Sequence, residues 1–319
     1  MDGHQDSPRL PSTPRAVRQS KELPLDSDAE SLAPLELPSG NGLLNFPNEE
    51  LSEYTPSQIY DMNQQLLDDS VPQRPLIEDL TPISDLRSEY EKGTGLFVNQ
   101  IDWLSTNGFK SIRRTRGDGD CFYRSLGFAY VDSIINSTDK EFAVARSLSK
   151  LAETQRTLDQ AGIEKIVYEN FYEEFVSMIN AIVPNTSGKS LNTDSLLVAF
   201  QNPEVSNSVV IYLRFLTSAQ IRLNRQDYEG FVVHPETKDI MDVDSFCSNI
   251  VQAMGKEADN VEIQALCLAL GLDVNLAYLN GSRGDGVDFI KFRNDPDPNV
   301  PPLMLLYRPG HYDVLPRKQ

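Results

Sequence analysis

The sequence has few cysteines and few histidines, three of each among 319 residues. The cysteines, Cys121, Cys247 and Cys267, are odd in number and lack C-x-x-C spacing, which argues against a disulfide framework or a zinc cluster. An HExxH motif is also absent, so we expect neither a metal nor a cofactor. Unpaired cysteines favour a reducing compartment, and we expect a cytoplasmic protein with the nucleus as a second location.

Long apolar runs and an excess of positive charge are missing too. No segment approaches the roughly 18 apolar residues of a membrane span, and the polar N-terminus does not resemble a signal peptide. A formal charge of −18 argues against nucleic acid and anionic membranes as partners, because these favour clustered Lys and Arg. A basic protein partner and a merely solvated acidic surface both remain open. We expect a monomer.

Composition divides the chain into three parts. Residues 1–50 are rich in Pro, Ser and acidic side chains without a sustained period, which predicts a disordered tail. Residues 1–70 hold 13 acidic and 4 basic side chains, so their net charge is −9, half that of the chain. Residues 51–75 are predicted to form an amphipathic helix and linker, and residues 76–319 are predicted to form one globular domain.

The predicted helix of the middle part begins at Thr55 and Pro56, an N-cap residue followed by a first-turn proline. Ile59, Met62 and Leu66 recur at helical spacing and form one apolar stripe. Two interpretations stay open, since the stripe can dock on its own domain or receive a partner.

In the globular part, the predicted helices come first and most of the predicted strands come last. A face of Phe97, Ile101 and Leu104 predicts one helix, and Thr138 with Glu141 predicts a capping box that opens another. The last fifty residues are turn-rich, with aromatic and β-branched runs that predict antiparallel strands. Helices followed by strands indicate an α+β fold. Further helices are predicted at about 166–182, 192–201, 206–227, 242–255 and 260–270, and strands at 273–279, 287–292 and 302–315.

The most informative segment is GDGDCFYRSLGFAY, which begins at Gly117. Two glycines and two aspartates predict a tight polar turn, and Cys121 follows where an apolar helix begins. A thiolate there is stabilised by the positive end of the helix, and turn amides can hold an oxyanion. The alternative is a small buried core cysteine, the usual state of a free cysteine and the one we expect for Cys247 and Cys267.

A cysteine nucleophile needs a base, and His4 lies in the predicted tail. His234 and His311 therefore remain as candidates. Asp313 follows His311 by two residues and would share its face of a strand, where it can orient the imidazole. His311 is the preferred base, with a structural turn histidine as the alternative.

With these residues in place, the chain resembles the otubains, a group of ovarian-tumour (OTU) deubiquitinating cysteine peptidases. The resemblance rests on RRTRGDGDCFYRSLGF at 113–128 and LLYRPGHYDVL at 305–315, and it spans roughly 76–315. It implies a papain-like OTU fold, in which a small antiparallel β-sheet is flanked by helices. It also implies a thiol peptidase that hydrolyses isopeptide bonds at the ubiquitin C-terminus.

The resemblance also implies roles for individual residues. Cys121 is the nucleophile, His311 the general acid and base, and Asp313 the group that orients His311. Asp118 belongs to the active site through the oxyanion loop that includes Gly119 and Asp120. Ubiquitin, polyubiquitin chains of the degradation-signalling lysine linkage, and ubiquitin-conjugating enzymes are the implied partners.

One position departs from the family pattern, which has Asn before the cysteine where this chain has Asp120. A carboxylate beside a thiolate disfavours its ionisation, so we expect a slower enzyme or a higher pH optimum. The alternative function is a mainly non-catalytic protein that binds ubiquitin or a ubiquitin-conjugating enzyme. A small-molecule cysteine hydrolase is a more distant third.

Overall fold

A computed structural model describes residues 74–91, 95–184, 188–235, 237–281 and 285–316. The predicted tail, residues 1–50, lies outside the described residues, as does nearly all of the predicted helix and linker, residues 51–75. The described helices are α1 Ile83–Tyr90, α2 Gly95–Thr106, α3 Cys121–Ile135, α4 Lys140–Gln160, α5 Lys165–Asn180, α6 Thr193–Gln201, α7 Pro203–Leu223, α8 Arg225–Tyr228, α9 Val243–Phe246 and α10 Asn260–Leu270. The strands are β1 Ile77–Pro82, β2 Ser111–Thr115, β3 Val274–Tyr278, β4 Asp288–Phe292, β5 Leu303–Arg308 and β6 His311–Val314.

The six strands form one sheet in the order β1-β2-β6-β5-β3-β4. The α+β class is confirmed, but the sheet is mixed and not wholly antiparallel, because β3 pairs with β5 in parallel. β3 and β5 are joined through the intervening edge strand β4, which pairs antiparallel with β3. A connection that passes through a third strand can return in the same direction, whereas a short hairpin cannot. The hairpin β5–β6 is antiparallel, as predicted.

Helices cover both faces of the sheet because neighbouring strand residues point to opposite sides. On one face Leu305 belongs to the large core around α3, while its neighbour Leu306 faces the smaller core beneath α1 and α2. Helix α3 is the centre of the large core, with 13 of its 15 residues buried. A helix that is apolar all round is expected to be enclosed by other elements. Gly127 of α3 allows close packing on α7, since a Cβ there would lie 3.0 Å from a methyl of Val209.

Most helix predictions hold to within a few residues, with two corrections. Helix α4 is capped by Asp139, whose side chain accepts from the Phe142 amide, and not by Thr138. The helix predicted at 242–255 is shorter. It consists of α9, Val243–Phe246, followed by a π-helical segment, Cys247–Val251, and helical structure ends there. Strands β1 and β2, which pair with each other, were not predicted. The segment that forms β2 lies in the basic run Lys110 to Arg116, which lacks the apolar alternation typical of a strand. Among the described residues, no helix has the length and apolar character to cross a bilayer.

Candidate active site

Cys121 is the first residue of α3, directly after the N-cap residue Asp120. The first amides of a helix have no carbonyl partner within the helix, and the helix dipole is positive at this end. A thiolate at Cys121 is therefore favoured by its position, and an oxyanion formed beside it would meet amide donors. The residue is only 2% exposed. The turn and helix start predicted from the sequence are both present.

The loop before Cys121 is shaped by Asp118. One oxygen of its carboxylate accepts the amide of Asp120 at 3.0 Å, and the other accepts from the guanidinium of Arg124 at 2.8 Å. Arg124 is itself buried and also donates to the Ser206 hydroxyl at 2.6 Å. These bonds join the loop to α3 and α7. Asp118 thus holds the backbone of the predicted oxyanion loop by one hydrogen bond within the loop and one to Arg124 of α3.

His311 begins β6, just after the turn at Pro309 and Gly310. Its Nε2 atom lies 2.8 Å from Oδ1 of Asp313, and its ring also hydrogen-bonds the Cys121 side chain. Because Nε2 is used by Asp313, Nδ1 is the nitrogen available to the thiol. Burial opposes a charged ring, but the bonds to Asp313 and Cys121 outweigh it and raise the pKa of His311 to about 9. The ring is therefore held in its imidazolium form at neutral pH.

Asp313 is fully buried and both of its oxygens are hydrogen-bonded. Oδ1 accepts the Thr115 amide at 3.0 Å in addition to His311, and Oδ2 accepts Nε of Arg308 at 2.9 Å. Burial alone would raise the pKa of Asp313, but His311, Arg308 and the Thr115 amide favour the charge and lower that pKa below its ordinary value. A carboxylate held in this way fixes the tilt of the imidazole.

Asp120, the residue that departs from the family pattern, is buried and faces away from solvent. Its Oδ1 accepts Nε of Arg214 on α7 at 2.9 Å. Its amide is occupied by Asp118, so it is not available to an oxyanion. The expected repulsion between two neighbouring negative charges is therefore countered by a buried guanidinium, which the sequence did not indicate.

The remaining candidates lie elsewhere. His234 accepts the Thr237 amide through Nδ1 at 3.3 Å, a contact within its own surface turn. Cys247 and Cys267 are both fully buried, as predicted, and burial raises the pKa of each thiol. The structure thus brings together Cys121, His311 and Asp313 and places His234, Cys247 and Cys267 elsewhere.

Sequence reasoning missed three residues that support the site: Thr115, Arg214 and Arg308. Arg308 had a detectable signal, because a two-residue turn at Pro309 and Gly310 pairs it directly with His311 across the hairpin. Cross-strand partners share a face with each other and with the residue two positions on, here Asp313. Thr115 and Arg214 come from distant segments, and nothing in their local sequence indicates the contact.

Comparison with known proteins gives a consistent result. A family model described as Peptidase C65 Otubain matches residues 69–317. The "OVARIAN TUMOR DOMAIN-containing deubiquitinating enzyme 1" of Arabidopsis thaliana is 34% identical over 252 residues, which cover 76% of this chain and 80% of that protein. The "Ubiquitin thioesterase OTUB1" of Homo sapiens is 31% identical over 243 residues, covering 76% of this chain and 83% of that protein.

Solved structures agree with the sequence relatives. One described as "The structure of h/ceOTUB1-ubiquitin aldehyde-UBC13~Ub" superposes with a TM-score of 0.70 at 25% identity. It covers 82% of this chain and 99% of the matched chain. A second, which contains UBCH5B~Ub in place of UBC13~Ub, superposes with a TM-score of 0.71.

Proposed function

The chain belongs to the otubain family of cysteine peptidases, and we propose that it is a deubiquitinase that hydrolyses polyubiquitin of the lysine linkage that signals degradation. The observation that carries the catalytic proposal is the array of Cys121 at a helix start, His311 bonded to it, and Asp313 bonded to His311. Linkage preference is the finer part of the proposal and rests on the resemblance to otubains.

In this mechanism Cys121 and His311 form a thiolate–imidazolium pair, in which His311 already holds the proton of the thiol, and the thiolate attacks the carbonyl carbon of the ubiquitin C-terminal glycine. The oxyanion is held by amides at the start of α3. The C–N bond then breaks, and the imidazolium gives its proton to the departing lysine amine. A water molecule, deprotonated by His311, hydrolyses the thioester and restores the thiolate–imidazolium pair. The ubiquitin acid is released and loses its proton to solvent as it becomes the carboxylate. Asp313 keeps the imidazole oriented throughout.

Cleavage of a di-ubiquitin panel tests this function. The panel contains each lysine linkage and the linear one, and the wild type is compared with Cys121→Ala and His311→Gln. We expect one lysine linkage to be cleaved preferentially, and both substitutions to abolish turnover and reaction with a ubiquitin vinyl probe. Turnover that survives in Cys121→Ala would exclude the mechanism. Equal cleavage of all linkages would remove the linkage proposal and keep the peptidase.

A second function is favoured by one observation, the presence of UBC13~Ub and UBCH5B~Ub in the similar solved complexes. We propose binding of a ubiquitin-charged conjugating enzyme as an additional role. Cys121→Ala should retain this binding in size-exclusion chromatography with a charged conjugating enzyme, while its peptidase activity is lost. Absence of a complex with every charged enzyme tested would leave hydrolysis as the sole proposal.

We also propose that the protein acts in the cytoplasm, with the nucleus as a second location. The three cysteines of the chain are unpaired thiols, which persist in reducing compartments. Fluorescence microscopy of the tagged full chain tests this, and accumulation in a secretory compartment would contradict it.

A further inference from the structure

The peptidase mechanism leaves one buried charge pair unexplained, that of Asp120 and Arg214. The two side chains are 6% and 1% exposed. Both Nε and one terminal nitrogen of Arg214 contact the same carboxylate oxygen, at 2.9 and 2.5 Å. Burying a cation and an anion costs several kcal/mol per ion unless each is well paired. A pair of this kind beside the nucleophile calls for a functional explanation.

Arg214 also bonds three backbone carbonyls from two segments. It donates to Gly119 at 3.2 Å in the loop before the nucleophile, and to Val251 at 3.0 Å and Lys256 at 2.6 Å in the segment between α9 and α10. Asp120 reaches the same segment, because its carboxylate accepts the Gly255 amide at 3.1 Å. The ion pair therefore joins the nucleophile loop, α7 and residues 251–256.

The two loops meet at very short range. Gly119 has a φ of +80°, and a Cβ at this position would lie 2.2 Å from the carbonyl oxygen of Gly255. Such contact is possible only for glycine and only while the loops keep their mutual position. The guanidinium of Arg214, which bonds both loops, fixes that position.

Several charged and ionisable groups lie near the nucleophile. Asp120 is its sequence neighbour, and His311 is its hydrogen-bond partner. From α10, Glu262 is buried with its pKa raised to about 7, chiefly by that burial. Asp118 is paired with Arg124, and the rings of Tyr123 and Tyr312 are buried close by. Arg214 lies 4.3 Å above the Tyr123 ring and is the cation that offsets Asp120.

We propose that Arg214 is a positioning residue for the reaction at Cys121. It offsets the charge of Asp120, so that this carboxylate opposes the thiolate less, and it holds the oxyanion loop against residues 251–256. The aspartate that replaces the family asparagine is tolerated because the guanidinium compensates it. This role rests on the proposed peptidase function for kcat and KM only, because alkylation of Cys121 is measured without ubiquitin.

Four variants test charge and position separately. Asp120→Asn keeps an acceptor for Arg214 but leaves the cation uncompensated, and Arg214→Gln leaves the anion uncompensated. The double variant Asp120→Asn/Arg214→Gln removes both charges. Arg214→Lys keeps the charge and loses the fork that reaches several carbonyls. Arg222→Gln is the control, since Arg222 lies on the same helix and pairs with Asp244.

Two readouts are measured for each variant, and its melting temperature is recorded beside them as the check on folding. The first is the pH midpoint for alkylation of Cys121 by iodoacetamide, read by mass spectrometry of the peptide that contains it, which needs no ubiquitin. The second is kcat and KM for hydrolysis of a ubiquitin C-terminal coumarin amide. If the wild type does not hydrolyse the ubiquitin substrate, the proposed peptidase function is contradicted. The alkylation midpoints of the variants then still decide the role of Arg214, because they need no ubiquitin.

The expected results differ in sign. Asp120→Asn should move the alkylation midpoint to lower pH and Arg214→Gln to higher pH, each by about one pH unit, the order by which a neighbouring charge shifts the pKa of an ionisable group. The double variant should return it close to the wild type. Arg214→Lys should keep the wild-type midpoint but lose about tenfold in kcat at an unchanged KM, because the loop is no longer held.

A purely structural pair would give another pattern. The single variants would then lose melting temperature and activity in parallel. Their alkylation midpoints would equal those of the wild type and of the Arg222→Gln control. That result would overturn the proposal. If Arg214→Gln does not fold, an Asp120→Asn midpoint equal to that of the wild type overturns it alone, because the near-isosteric amide preserves the packing.

Discussion

Arg308 donates Nε to Oδ2 of Asp313 at 2.9 Å, on the side of the carboxylate opposite to His311. The Arg308 side chain is 16% exposed, and its Nη1 also lies 3.4 Å from Oε2 of Glu89 in α1. Asp313 is thereby compensated from two sides, and its charge is shared between a permanent cation and a titratable one. This arrangement has consequences for activity and for stability.

Arg308→Gln removes the permanent cation. We expect the free energy of unfolding to fall by about 1–3 kcal/mol, because a buried carboxylate loses a charged partner. We also expect a kcat about tenfold lower at little-changed KM, because Asp313 is free to turn. Urea denaturation and steady-state kinetics measure the two effects. Arg293→Gln removes an ion pair with Asp273 in which the cation is 45% exposed, and it should cost under about 1 kcal/mol. Equal costs for the two variants would contradict the prediction.

Asp313→Asn tests the coupling between carboxylate and imidazole. Asp313 is one of the groups that raise the pKa of His311 to about 9. The wild-type profile of kcat/KM against pH should fall on the alkaline side near that value, as the imidazolium is lost. In the variant, this fall should move to lower pH by about one pH unit or more. Asp297→Asn, on a surface loop, is the control. A limb that stays in place would exclude His311 as its origin.

The raised pKa of His311 also predicts a pH dependence of folding. Its ordinary value of 6.5 applies to the unfolded chain and about 9 to the folded one. The folded state therefore binds the proton more tightly, and this contribution is fully present below pH 6.5 and is lost as pH rises through about 9. The stability difference between the wild type and His311→Gln should shrink by about 1–3 kcal/mol over that range. A stability difference that stays constant across this pH range would contradict the prediction.

Thiol reactivity should separate the three cysteines. Cys247 and Cys267 are fully buried and burial raises the pKa of each, whereas Cys121 lies at a helix start beside His311. Limited treatment with iodoacetamide at neutral pH should modify Cys121 first, with activity lost in proportion. Peptide mass spectrometry measures the order. Modification of either core cysteine before Cys121 would contradict the assignment.

Gly119→Ala should disable the nucleophile loop. The variant combines a positive φ with a Cβ that would lie 2.2 Å from the Gly255 carbonyl oxygen. Gly162→Ala is a matched control, because Gly162 has a φ of +78° with nothing within 4 Å of the added Cβ. The control should cost only the backbone strain of about 1–2 kcal/mol and keep its kcat. Gly119→Ala should lose at least about tenfold in kcat, and parity between the two variants would show that the loop contact has no role.

The parts of the fold predicted best are those with strong local patterns. The helix that carries Phe97, Ile101 and Leu104 is present as α2, because its apolar spacing and the Asn107-Gly108 stop are local signals. The strand β2 was missed because a basic run carries no strand signal, although Arg113 is buried against the ring of Phe128. The parallel pairing of β3 with β5 was also missed, since pairing direction depends on long-range connection.

The sequence by itself determined the candidate nucleophile, its helix start and the i, i+2 relation of His311 and Asp313, because each is encoded within a few neighbouring residues. Only the tertiary structure decided how their charges are balanced. Arg214 reaches Asp120 across 94 positions of the chain and Thr115 reaches Asp313 across 198. Such contacts are set by the packing of α7 on α3 and of β2 beside β6, and no local spacing contains them. The cost of burying Asp120 and Asp313 is therefore met by partners that only the folded chain supplies.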